Sequence, residues 1–122
     1  MNIIISNELK IICIFLTKYV NLLLFIRNYF ENDMNAKRII FTGNVQGVGF
    51  RFTAHRIARQ WRLTGFVRNL ADGSVEMFVQ GKSEDIENCL QDIRQSFTGC
   101  IRQTQIDDVT ADDNYKDFKI TF

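Results

Sequence analysis

At 122 residues, the chain has room for one modest hydrophobic core and therefore one principal domain. A formal net charge of +1 argues against a nucleic-acid groove, which needs a concentrated basic face to displace counterions, so any anion bound here is expected to be small. Three cysteines without ligand spacing and a single histidine, His55, give no disulfide framework and little material for a zinc site or a histidine triad.

The first 34 residues differ from the rest. From Ile11 to Ile26 the chain is mostly apolar, but Lys18 and Asn21 interrupt it, leaving it short of the ~20 clean residues of a membrane span. No basic leader precedes it and no small-residue cleavage site follows, so it reads poorly as a signal peptide. Leu9, Ile12, Leu16, Tyr19, Leu23, Ile26 and Phe30 fall on one helical face, although Ile11, Phe15, Val20, Leu22, Leu24 and Phe25 blur that stripe. Three readings stand: an extra helix docked on the domain, a membrane-surface anchor, or an extension upstream of a natural start at Met34. The third is preferred, because Met34-Asn35-Ala36-Lys37 resembles an ordinary soluble N-terminus and a self-consistent domain, 35–122, begins there.

Within that domain, Ile39, Ile40 and Phe41 suit a buried strand over Arg38 to Thr42. The glycine-rich stretch GNVQGVGFR follows, Gly43 to Arg51. Ala54, Ile57, Ala58 and Trp61 then mark the packed face of a helix from about Phe50 to Arg62, with Arg56, Arg59, Arg62 and His55 expected towards solvent. Gly65 is expected at the left-handed position ending that helix. Phe66 to Leu70 and Val75 to Gln80 read as a hairpin around Asp72-Gly73. Ser83 is the expected cap of a second helix whose stripe is Ile86, Leu90, Ile93 and Phe97, and Thr98-Gly99 ends it. Cys89 within this helix and Cys100 beyond it are expected to be too far apart to join. Strands from Ile101 to Val109 and from Lys116 to Phe122 complete the chain. The order is βαββαβ plus a short C-terminal strand, an α+β ferredoxin-like sandwich with two helices on one face of an antiparallel sheet.

The loop has a chemistry of its own. Glycines let successive backbone N–H groups converge on one point, the following helix adds partial positive charge, and Arg51 can grip phosphate oxygens through paired hydrogen bonds. It is neither a Walker loop nor a dinucleotide fingerprint. By itself it is equally well a tight turn with a surface arginine.

Two further stretches narrow the choice: GFVRN from Gly65 to Asn69 and DGSVE from Asp72 to Glu76. Together with the loop, in this order and on this fold, they resemble acylphosphatases over about the last 88 residues (122 − 34). The resemblance implies hydrolysis of acyl phosphates, with Arg51 binding the substrate phosphate and Asn69 positioning the attacking water. The backbone of Gln46, Gly47, Val48, Gly49 and Phe50 would hold the remaining phosphate oxygens. In a βαββ unit the loop and the end of the second strand lie at one sheet edge, so Arg51 and Asn69 can meet. Asparagine both donates to and accepts from a water, and arginine stays cationic. The resemblance implies no metal and no cofactor. The partner expected is a small acyl phosphate, not nucleic acid, with membrane contact only if the N-terminal extension is real, and a cytoplasmic monomer is expected. Gly99-Cys100 stands where the family often has Gly-Pro, and the 34-residue leader has no counterpart in the basic pattern. The alternative in another class is an anion-binding or regulatory module that keeps this cradle without turnover. A ferredoxin-like RNA or metabolite binder would instead carry exposed strand aromatics and a basic sheet face.

Overall fold

The computed structural model describes residues 7–31 and 34–122, and the chain divides between Asn32 and Asp33 into two units. The first contains a single helix, α1 (Asn7–Glu31). Its apolar side chains are exposed both on the expected stripe and off it, Leu16 at 58% and Phe15 at 69%. Leu9 and Phe30 lie outside the residues whose side chains are described. No helix among the described residues is long and apolar enough to cross a membrane.

The second unit runs β1 (Asn35–Gly43), α2 (Phe50–Gln60), β2 (Thr64–Asn69), β3 (Val75–Gly81), α3 (Ser83–Ser96), β4 (Ile101–Val109) and β5 (Phe118–Thr121). Its sheet has the order β4-β1-β3-β2-β5. β1 pairs antiparallel with β3 and β4, and β2 antiparallel with β3. This is the ferredoxin-like arrangement expected, with one refinement: β5 pairs parallel with β2, so the sheet is mixed. To reach that edge from β4 the chain must cross to the other side of the sheet, and Gln80 pins the crossing. Its amide donates to Asp112 O and accepts from Asp112 N–H, both at 2.8 Å, so a buried side chain substitutes for a ladder step.

Strand alternation sends Ile39, Phe41, Val67, Val75, Met77 and Val79 into the core, against Ala54, Ile57 and Ala58 of α2 and Ile86, Leu90 and Ile93 of α3. Phe50, the first residue of α2, sits between Phe41 and Phe97 with ring centroids 4.9 and 4.5 Å away. Trp61 Nε1 donates to Asp92 at 2.8 Å and links the two helices. On the other sheet face Phe66 and Phe78 stack at 5.8 Å with Tyr115 against both. Glu76, its side chain only 4% exposed, is held at 2.6 Å by both Arg38 and Arg68.

Three local expectations are corrected. The left-handed residue ending α2 is Arg62, φ 58°, while Gly65 lies inside β2 opposite Val79 and Phe118. Leu63 N–H bonds Ala58 O and Arg62 N–H bonds Arg59 O, a Schellman ending that turns Leu63 into the core immediately and leaves no turn for Gly65 to make. Ser83 is not the cap of α3; Lys82 holds that place without a side-chain bond, because the Ser83 hydroxyl accepts from Asn35 Nδ2 at 2.6 Å. His55 is half-buried rather than turned to solvent, its ring 6.1 Å from Phe118, since β5 extends the sheet beneath that side of α2.

Candidate active site

The segment between β1 and α2 is fastened at two points. Asn44 N–H donates to Cys100 O at 2.9 Å, and Gln46 Nε2 donates to Leu70 O and Ser74 O, each at 2.8 Å. The second bond pair ties the loop to the β2–β3 turn, which is closed by Leu70 N–H to Ser74 O at 2.8 Å. Asp72 accepts from both the hydroxyl and the N–H of Ser74, and these bonds, the hydroxyl's foremost, hold its carboxyl below the ordinary aspartate value. Loop and hairpin therefore form one braced unit.

Between those ties the backbone takes left-handed steps at Gly47 (φ 76°) and Gly49 (φ 77°). A Cβ at either would meet nothing within 4 Å, so it is the backbone conformation, not crowding, that favours glycine. Gly49 caps α2 without a side-chain bond, and no acidic residue occupies the first turn. The first helical hydrogen bond runs from Thr53 N–H to Gly49 O at 3.1 Å. Among the described residues, the N–H groups from Gln46 to Phe52 donate to no protein acceptor, so a run of unpaired donors leads into the positive helix end.

Part of that run borders a 220 Å³ cavity. Gly47, Gly49, Phe50, Arg51 and Asn69 all line it, so residues 18 positions apart (69 − 51) are brought together as the sequence suggested. Asn69 is the last residue of β2, half-buried and paired with Val75. Arg51 joins none of the ion pairs among the described residues; its guanidinium carbon lies 5.0 Å from the centre of the Phe122 ring, a cation–π distance. Gln46 and Val48 are not among the lining residues: the Gln46 side chain is committed to the hairpin and Val48 is 40% exposed. Sequence reading missed the remaining wall, Val45, Phe52, Ile120 and Phe122. The alternation of Phe118, Ile120 and Phe122 was visible, but not the parallel docking of β5 beside β2 that carries Ile120 and Phe122 to the loop. Among the described residues no group of three or more His, Cys, Asp or Glu side chains could hold a metal ion.

The acylphosphatase family model matches residues 37–120, taking in the loop, both hairpin strands and β5 up to Ile120. The chain belongs to the acylphosphatase family. It is similar to the acylphosphatase of Lactiplantibacillus plantarum, 38% identical over 90 residues, covering 72% of this chain and 99% of that one. The crystal structure of acylphosphatase from Bacillus subtilis superposes with a TM-score of 0.67 at 27% identity, covering 72% of this chain and 99% of that one. The fold also recurs inside a longer protein: full-length HypF, solved in a phosphate- and nucleotide-bound form, matches with a TM-score of 0.65 at 33% identity, over 73% of this chain but only 12% of HypF. Acylphosphatases are hydrolases, and the chain is an enzyme of that type.

Proposed function

We propose that this enzyme cleaves the carboxyl–phosphate bond of small acyl phosphates, with Arg51 and the Gln46–Phe50 backbone binding the phosphoryl group and Asn69 positioning the attacking water. The observation that carries the reading is the shared cavity: an arginine outside every described ion pair, the unpaired backbone donors of Gly47, Gly49 and Phe50 and a strand-end asparagine line the same 220 Å³. The phosphoryl oxygens meet the donors and the guanidinium, which neutralise charge as it shifts onto the departing oxygen. Water oxygen forms the new bond to phosphorus as the bond from phosphorus to the acyl oxygen breaks. The carboxylate leaves with the electron pair, and a phosphate oxygen takes the water's proton. A carboxylate is stable enough to leave without a general acid, so positioning and electrostatics supply the catalysis. The substrate is a free small molecule, and the enzyme works as a cytoplasmic monomer.

A second reading, an anion-binding module without turnover, draws on the likeness to one-eighth of HypF. Phosphate release from benzoyl phosphate by the full chain, without added metal, separates the two. Arg51→Ala is expected to lower kcat/KM about 10³-fold and weaken inorganic phosphate binding. Asn69→Ala is expected to lower kcat about 10²-fold with phosphate affinity retained. Undetectable turnover by the folded parent protein sinks the enzymatic reading, and parental turnover by Asn69→Ala sinks the water-positioning role.

A further inference from the structure

The lining of the cavity is of two chemical kinds. Donors and charge come from Gly47, Gly49, Arg51 and Asn69; the rest of the lining is apolar and includes Phe52, Ile120 and Phe122. Ile120 lines the cavity from β5 and is half-buried. Phe52 is 68% exposed and the Phe122 ring fully so. Two phenylalanines kept in water beside a polar cradle leave apolar area uncovered at the mouth of a site, where a ligand can cover it.

We propose that Phe52, Ile120 and Phe122 form an acyl-group subsite that selects acyl phosphates with an aromatic acyl chain. The inference rests on the hydrolase reading above and adds the substrate class. With the phosphoryl group against Arg51 and the loop, the lining left for the acyl group is the apolar part of the cavity. The Phe122 ring, 5.0 Å from the Arg51 guanidinium carbon, is then next to the first atoms beyond the phosphate. A flat ring attached there stacks on Phe122 and contacts Phe52. An acetyl group is too short to cover either ring. An acyl chain ending in a second carboxylate would set that charge against an apolar wall, since the lining offers no cation besides Arg51.

The test compares kcat and KM for benzoyl phosphate and acetyl phosphate in the full chain, Phe122→Ala and Phe122→Tyr, together with calorimetric binding of benzylphosphonate and methylphosphonate, which cannot be hydrolysed. Phe122 packs into no core, so Phe122→Ala is expected to melt with the parent. The benzoyl-to-acetyl ratio of kcat/KM is expected to fall about fivefold in Phe122→Ala, through KM, and to be restored in Phe122→Tyr. An equal loss for both substrates would make Phe122 a prop for Arg51 and overturn the subsite, as would an unchanged ratio. If neither acyl phosphate is cleaved while benzylphosphonate still binds more tightly than methylphosphonate, and Phe122→Ala abolishes that difference, the subsite stands and the hydrolase reading falls. Equal affinity for the two phosphonates in the parent overturns the subsite.

Discussion

Replacing Gln46 with alanine separates bracing from binding, because its side chain touches the hairpin and not the cavity. The substitution removes two hydrogen bonds of 2.8 Å, to Leu70 O and Ser74 O. Neither carbonyl is orphaned: Leu70 O keeps the Gly73 N–H at 3.2 Å and Ser74 O keeps the Leu70 N–H at 2.8 Å. The loss is therefore the net worth of two neutral hydrogen bonds, about 2 kcal/mol in all, without a buried-acceptor penalty. For a domain of this size that corresponds to a fall in Tm of about 10 °C. Freed from the hairpin, the loop must be ordered again each time an anion binds, so KM for benzoyl phosphate is expected to rise about tenfold, with kcat changed less. Differential scanning calorimetry and steady-state kinetics on the same preparation read both effects. A Tm within about 2 °C of the parent, or a loss confined to kcat, would refute the bracing argument.

Glu76→Gln removes the one carboxylate shared by Arg38 and Arg68; both arginines are about half exposed and can turn to water, so chemical denaturation is expected to show a loss of about 2 kcal/mol, less than for a fully buried pair, with kcat/KM unchanged. Gly65→Ala would bring a Cβ to 1.9 Å from Phe78 O at φ +135°, and a loss of at least about 3 kcal/mol is expected in the same measurement; parental stability would contradict the close strand approach. Burial, with Asp92 as a lesser cause, pushes the Cys89 thiol from 9.0 up to about 12. Its contribution to stability is then complete below 9.0 and is lost progressively as the pH rises from 9.0 to about 12, where the unfolded thiol has ionised and the folded one has not. At pH 8, mass spectrometry after treatment with a thiol reagent is expected to find Cys89 unmodified in native protein and modified in denaturant, and rapid native labelling would show that the thiol is not buried.

What the sequence made legible was what local chemistry dictates. The β4 limits, the hairpin around Asp72-Gly73 and the start of α2 at Phe50 follow from alternation, turn residues and a glycine ahead of a periodic stripe. That Arg51 and Asn69 would lie near one another was readable because each stands at an element boundary, where topology fixes position. Less legible were contacts set by competition between distant segments. Ser83 has the chemistry of a cap, yet Asn35, 48 positions earlier, takes its hydroxyl. Gly65 has the chemistry of a helix ending, yet the demand to bury Leu63 moved the turn to Arg62. The aromatic-and-arginine sheet face expected of an RNA binder is present in part, in Phe66, Phe78, Arg38 and Arg68. Tyr115 packs over the rings, however, and Glu76 occupies both guanidinium groups. The apolar cavity wall depended on a parallel edge pairing that no short-range signal announces.

Phe50 belongs to the cavity wall and to the three-ring cluster with Phe41 and Phe97 at once. Loop and interior consequently share a residue that neither can release alone. The anion-facing turn has no independent melting transition, because Phe50 cannot leave its neighbours Phe41 and Phe97 without opening the core. By linkage, any anion seated there resists heat on behalf of the whole domain, and a thermal shift with inorganic phosphate reports occupancy of a site that contains no fluorophore of its own.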